Sequence, residues 1–594
     1  MGEGPNNIMN PQHDEVYDYI IIGSGPSSCG LVHGLLMSNN NQQSSAQGQR
    51  NHNISICIIE AGQATLHETT YAKDWPKTSL FDNASNNYIS TPQRGLCNRL
   101  LNIPIGCGLG GGTNINACLL CEPDYGRDFQ CWPKRYQDGQ VIRNACEYLL
   151  DVMQKNGGVT DVETCPKFMD ILGGVNNNNV EKDTLPFDQQ HVRLATANDG
   201  RRVNYFESLV QPLLFSDENQ NNVDVKIRTN TVATRLLWDN DKRVNGVLCR
   251  DKQTDQHIII GASKEVILCA GAIHSPVLLM RSGIGDESDL RKLTYILEDN
   301  GNFHNLPGVG KHLKDHTVLP RAFLTFSQKD CRQSLMGTQT LFNKRNDTNA
   351  QFMVMDGCVL GQAGPSLVSA VFRRDYISGR KCKQSTSIIT YIQQYAFHII
   401  FTLVLSLLQL GVAYIRPLAN LITYHTVTIL ITMLNPKSCG SVTLTSSNQI
   451  NIDPAYLTNS TDCENLVQAW NDSTRLKEIY LHNCWEILPG HLYKVQSLLS
   501  RWKSNGNKRA MLQNEILAFA RGFMGPYFHW IGTCAMINTH TNNEAVVDET
   551  FRVIGMQGLR ICDASVFVDC VSAPTALTCA SLGYILSEIL EHDY

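Results

Sequence analysis

The sequence predicts an α/β fold: a Rossmann-like βαβ domain interleaved with a second, antiparallel-sheet (α+β) domain. Three observations carry this. A short apolar run, Tyr19-Ile20-Ile21-Ile22, breaks into Gly23-Ser24-Gly25 and then a helical pattern. A second apolar run at 54–59 stops at an acid, Glu60. Near the other end, Gly558-Leu559-Arg560-Ile561-Cys562-Asp563-Ala564-Ser565 leads into one last helical stretch. Strand, glycine turn, helix and strand in that order make a parallel βαβ unit.

The elements follow in order. Residues 1–15 form a polar tail with no cationic or apolar stretch. That sets the expectation of no secretory signal and of a cytosolic protein, or one on the cytosolic face of a membrane. Helical spacing runs from Gly30 to Met37, and an Asn/Gln/Ser-rich stretch at 38–53 reads as a loop. A further Asn-rich loop is expected at 175–182. Strand candidates lie at 223–227, 232–238, 243–248, 257–260 and 265–268, and those of an antiparallel sheet at 427–434 and 440–444. A closing helix is expected over 575–590.

A chain of 594 residues exceeds what one simple core serves, so two intertwined domains are expected. The net charge of −5 and the lack of a basic run argue against nucleic acid as a partner. The 21 cysteines are scattered, which in a chain this large reads as reduced thiols. Cys118 and Cys121 have CxxC spacing without a second pair, so packing is expected there and no metal.

A glycine turn between strand and helix lets the backbone approach a pyrophosphate, whose charge rests on the helix N-terminus. Gly23 and Gly25 meet that need. The third glycine of a GxGxxG pattern is Ser28, small enough to keep close packing. Glu60 ends the second strand, where an acid accepts hydrogen bonds from a ribose diol. The turn alone does not separate flavin from nicotinamide dinucleotides.

Longer motifs resolve that choice. Pro104-Ile105-Gly106-Cys107-Gly108-Leu109-Gly110-Gly111-Gly112-Thr113-Asn114-Ile115-Asn116 spends backbone entropy on glycines, as a close approach to a flat or charged group requires. Gly271-Ala272-Ile273-His274-Ser275-Pro276 opens a stretch that continues to Ser282-Gly283-Ile284-Gly285. Leu306-Pro307-Gly308-Val309-Gly310-Lys311-His312-Leu313 follows, completed by Asp315-His316. Together these resemble the glucose-methanol-choline (GMC) family of FAD oxidoreductases, from Asp18 to Ile589, weakly across 130–200 and 330–425. The resemblance implies FAD as cofactor. Its contacts would include Gly23, Gly25, Ser28, Glu60, Gly110, Gly111, Thr113, Asn116, Val232, Asp563 and Ala564. Ile115 stands where some members carry a histidine that attaches FAD, so non-covalent FAD is implied.

Phe528-His529-Trp530-Ile531-Gly532-Thr533 matches the family's His-x-x-Gly-Thr motif. The resemblance implies His529 as the catalytic residue that handles the substrate hydroxyl proton. Histidine suits the task because it titrates near neutrality and can serve as a base. The family's second group, a His or Asn on the closing segment, falls on Pro574, which has no side-chain donor and no N–H. Asp569, Cys570, Ser572 and Thr575 are the neighbouring candidates.

The resemblance also orders the domains. Residues 16–315 are the first part of the FAD-binding domain, with a substrate-domain excursion around 130–200. Residues 316–545 are the substrate domain, containing an apolar segment at 384–434, and 546–594 return to the FAD-binding domain. The expected function is oxidation of a small-molecule alcohol, long-chain or lipid-like, to a carbonyl by hydride transfer to flavin. The alternatives are an FAD-containing lyase or fatty-acid photodecarboxylase, and a non-catalytic flavoprotein. No charge occurs between Lys383 and Arg416. Residues 397–415 are therefore either a buried helix or a one-sided insertion into a membrane surface. A single crossing is ruled out, because Gly23 and Asp563 would serve one FAD from opposite sides of the run.

Overall fold

The computed structural model describes residues 13–45, 54–64, 85–161, 186–190, 192–215, 223–293, 303–325, 339–344, 349–356, 425–481, 484–488, 508–538 and 544–593. The apolar segment at 397–415 and the Asn-rich loop at 175–182 lie outside these residues.

Apolar, β-branched runs without alternation belong in a sheet covered on both faces. The first strand, Glu15–Ile22, meets this in its second half, where Tyr19, Ile20, Ile21 and Ile22 are all buried. It runs parallel to Ile54–Ile59 on one side and to His257–Leu268 on the other. The full order is Thr231–Trp238, Val244–Asp251, His257–Leu268, Glu15–Ile22, Ile54–Ile59, Val223–Arg228. The first three form an antiparallel meander, and the rest is parallel. Leu559–Ile561 pairs parallel with the end of the long strand, from Val266↔Leu559 to Leu268↔Ile561.

Several expectations shift. The stretches at 257–260 and 265–268 are one strand of 12 residues, His257–Leu268. Its first half pairs with Val244–Asp251 and its last residues with Leu559–Ile561, so the polar Ser263 and Lys264 mark a change of partner and no break. The first helix spans Pro26–Ser45, running on into the stretch expected to be a loop. Asn, Gln and Ser are only moderately poor helix formers, and a helix already nucleated extends through them.

A second sheet is antiparallel: Trp485–Leu488, Thr317–Leu324, Thr426–Met433, Ala350–Asp356, Gln339–Lys344, Phe187–Gln190. Gly525–Pro526 also pairs with the start of Thr317–Leu324. Residues 441–444, expected in this sheet, form a ribbon with Ile450–Asp453 instead. The helix Gln140–Lys155 packs on the closing helix, where Cys146 Sγ lies 3.0 Å from Ser581 Oγ, and among the described residues of this region Phe187–Gln190 joins the second sheet.

The closing helix, Thr575–Asp593, lies against the first helix. Small residues make the seam. A Cβ on Gly30 would land on the Ala580 carbonyl oxygen, and one on Gly583 on the Ser27 carbonyl oxygen. Gly30→Ala or Gly583→Ala must therefore part the helices, at about 1–3 kcal/mol each. Gly522, in the helix Lys508–Phe523, has nothing within 4 Å of a Cβ. Gly522→Ala should instead stabilise by up to about 1 kcal/mol. Thermal melts of the three variants should move in these opposite directions.

Candidate active site

The parallel strands deliver their ends to one edge of the first sheet. Ile22 leads into Gly23, Ile59 into Glu60, Leu268 into Ala270-Gly271, and Ile561 into Asp563. Ligands of doubly wound sheets bind along such an edge.

Gly23 has φ +100°, and a Cβ there would strike the Cys269 carbonyl. The glycine run at 108–112 is pressed onto this turn. Gly110 N–H donates to Ser24 O at 3.0 Å, and a Cβ on Gly111 would lie 2.8 Å from Gly25 Cα. Glu60 is buried and holds the turns together. It accepts from Ser24 N (3.1 Å), Ser24 Oγ (2.6 Å), Gly62 N (2.8 Å) and Gly108 N (2.9 Å). The acid expected to meet a ribose thus also organises the backbone around it. Thr231 N–H donates to Glu60 O at 3.0 Å, which sets Val232 beside this corner.

Thr113 Oγ1 donates to Gly110 O and accepts from Tyr205 N–H. Asn116 Oδ1 accepts from Arg202 (2.8 Å) and from Cys118 N–H (3.0 Å). Asp563 Oδ2 accepts from Gly271 N (2.8 Å) and Ser275 Oγ (2.5 Å), and Oδ1 from Ser565 N (2.8 Å). Burial raises its carboxyl, and these donors oppose the shift. Ser28 is buried in the first turn of the helix, but the close approach expected of it belongs to Gly30.

This edge suits a dinucleotide. Gly271 has φ +82° and, like Gly112, open space where a Cβ would project, while Gly23 and Gly25 stay half-buried at a helix N-terminus. Cys118 and Cys121 are both buried, with thiols raised by burial, and no metal-binding cluster occurs among the described residues.

His529 sits on a loop clamped between the two sheets. Asp315, buried just before the strand Thr317–Leu324, accepts three successive amides of that loop: Tyr527 N (3.1 Å), Phe528 N (3.3 Å) and His529 N (2.6 Å). Tyr456 Oη donates a fourth bond at 2.6 Å. Burial pushes the Asp315 carboxyl up to about 7, against these four donors. The clamp holds Phe528 at φ +64°, unusual for a bulky residue. Beyond it, Gly532 N–H donates to Ala564 O (3.1 Å) and Thr533 Oγ1 to Ala272 O (2.6 Å). Gly532, at φ +85°, leaves no room for a Cβ, which would lie 2.5 Å from His312 O. The histidine is thereby tied to the helix after Gly271 and to the segment after Asp563.

Of the candidates around Pro574, Asp569 and Ser572 are engaged by other residues. Asp569 pairs with Lys314 at 2.8 Å and accepts Cys570 N–H, and Ser572 bonds Asp128 through both N and Oγ at 2.6 Å. The partner of His529 is His316, with Nδ1 to Nδ1 at 2.9 Å. It comes from the start of the second sheet, 213 residues earlier in the chain. Its only sequence signal was its place in the Asp315-His316 landmark. Burial lowers both rings, His316 to about 4 and His529 well below its ordinary value.

Asp315→Asn would set an amide N–H₂ against the loop amides. Misplacing a catalytic group by about 1 Å can cost ~100-fold. Anaerobic flavin reduction in Asp315→Asn should slow on the order of 10- to 100-fold, with bound flavin retained. Stopped-flow absorbance with a flavin assay checks both.

Residues 17–318 match the amino-terminal family pattern described as GMC oxidoreductase, and residues 436–583 match its carboxy-terminal counterpart. The chain is 24% identical to "Choline dehydrogenase, mitochondrial" of Mus musculus, over 94% of this chain and 88% of that one. It is also 24% identical to "Alcohol dehydrogenase [acceptor]" of Pseudomonas putida, over 94% and 93%. The crystal structure of pyridoxine 4-oxidase from Mesorbium loti superposes with a TM-score of 0.68 at 17% identity, covering 97% of this chain and 100% of that one.

Proposed function

Because the chain belongs to the GMC oxidoreductase family and is an FAD-dependent oxidoreductase acting on CH–OH groups, we propose that His529 is the base of its alcohol oxidation. The observation that carries this is the clamp: Asp315 fixes the His529 loop while Gly532 and Thr533 bond it to the cofactor edge. His529 would take the substrate hydroxyl proton. When bound, the flavin takes the hydride from the carbinol carbon. Gly23, Gly25, Ser28, Glu60, Gly110, Gly111, Thr113, Asn116, Val232, Asp563 and Ala564 would line the FAD site, and with Ile115 offering no nucleophile the FAD is held non-covalently.

Removing a general base costs about 10²–10⁴-fold. His529→Ala should slow anaerobic flavin reduction by that order while FAD content and visible spectrum stay near wild type. Reduction at an unchanged rate removes His529 from the role. Pro574, which lacks the family's usual side chain, favours a second reading: a lyase or photodecarboxylase on the same scaffold. Alcohols would then leave the flavin oxidised.

The finer proposal concerns the substrate. Residues 397–415 carry no charge, and we propose that they dock on a membrane surface and admit a long-chain, lipid-like alcohol from it. Among the described residues no helix is long and apolar enough to cross a membrane. Liposome flotation should capture the wild type and release Leu403→Asp/Leu407→Asp, whose FAD and activity on short alcohols persist. A wild type that stays with the soluble fraction overturns the docking.

A further inference from the structure

Two imidazole nitrogens 2.9 Å apart can share a hydrogen bond only if one carries a proton and the other a lone pair. The pair therefore has two arrangements. If His316 donates, His529 Nδ1 is spent as acceptor and its Nε2 carries the ring proton, leaving no basic nitrogen for a substrate. If His529 donates, its Nε2 is bare. Only the second arrangement yields a base.

We propose that His316 is a positioning residue for the alcohol oxidation: its Nδ1 accepts the Nδ1–H of His529 and so holds the catalytic ring in the tautomer with Nε2 free. The proposal rests on His529 being the base. The surroundings of His316 agree with it. The ring is 1% exposed, and its Nε2 is buried with no partner in hydrogen-bond geometry. The polar backbone facing the ring comes from Val571 and Leu434 and favours a proton on it. With Nδ1 turned to His529, that proton sits on Nε2. Of the titratable groups around the two rings, Tyr527 packs at 4.5 Å from the His529 ring and 6.4 Å from that of His316. Asp315 contacts the His529 amide, and Asp569 faces His316 while paired with Lys314.

The step balances simply. The alcohol O–H breaks and its proton forms the Nε2–H bond of His529, while the carbinol hydride leaves with its electron pair for the flavin. His529 is then an imidazolium, and its Nδ1–H···Nδ1 contact becomes charge-assisted. The stabilisation thus grows as the charge develops, where it lowers the barrier. Burial lowers both rings, so the pair takes up one proton and not two, and His316 remains the acceptor.

The test compares two substitutions in the FAD-loaded enzyme. His316→Asn keeps a short side chain whose amide oxygen can stand in for Nδ1, and His316→Phe removes the acceptor and fills the space. Anaerobic flavin reduction by an alcohol that reduces the wild type is followed from pH 5 to 9. His316→Phe should lower the plateau by roughly 10²-fold and move the acid limb to lower pH, because the imidazolium has lost its acceptor. FAD content and the substrate concentration at half-saturation should stay near wild type. His316→Asn should recover the rate to within about tenfold. A Phe variant whose acid limb stays in place, or an Asn variant as slow as Phe, overturns the proposal. A second readout needs no altered His316. In holoenzyme with ring-¹⁵N-labelled histidine, NMR should find, beside rings such as His33 and His425 whose Nδ1 faces a backbone carbonyl, a further Nδ1-protonated ring that disappears in His529→Ala. Its absence from the wild type overturns the tautomer assignment. If His529→Ala reduces its flavin at the wild-type rate, the base assignment fails; if only the His316 results fail, the positioning role fails alone.

Discussion

One buried carboxylate holds together segments that the chain sequence keeps far apart. Asp563 follows the last strand and accepts from the amide of Gly271, the hydroxyl of Ser275 and the amide of Ser565. A buried carboxylate is costly unless its lone pairs are satisfied, so these bonds specify one arrangement. Fixing Asp563 against Gly271 places Ala564 next, and Ala564 O receives the Gly532 amide. The His529 loop thus inherits its position from a contact made at the edge of the first sheet.

The same economy recurs in Glu60 and Asp315. Each carboxylate gathers backbone amides from a tight turn in place of the cations such groups usually seek. Glu60 sets the shape of the glycine cradle, and Asp315 sets the entry and direction of His529. Two neutral histidines share the remaining polar contact at the centre. Both rings are buried, and burial strengthens their interaction with charge that appears during the reaction.

The cofactor edge was legible in the sequence because its requirements are local. Gly23 needs φ +100° and Glu60 must end a strand, and a short window shows both. His529 was legible through its motif, whose Gly532 proves to have a steric reason. His316 was not, since its role depends on a sheet that carries residue 316 to residue 529. The structure commits Asp569 and Ser572 elsewhere, a matter of tertiary pairing that no local pattern records. The tight contact of the first helix falls on Gly30, where a Cβ would meet the Ala580 carbonyl oxygen, and no local pattern records so distant a neighbour.

That seam has a consequence for how the protein is made. The first helix leaves a ribosome long before its packing partner, since Gly30 waits for Ala580. At roughly 5–20 residues per second the interval is on the order of half a minute to two minutes. Through that time the glycine face of the first helix has no Ala580 or Gly583 to meet, and Asp563 has not been synthesised. The parallel sheet likewise lacks its strand Leu559–Ile561. Holding of the cofactor is therefore a late event in the life of the chain. A chain that stops before Leu559 keeps the first helix and most of the parallel sheet, yet has an open seam and an unfinished cradle.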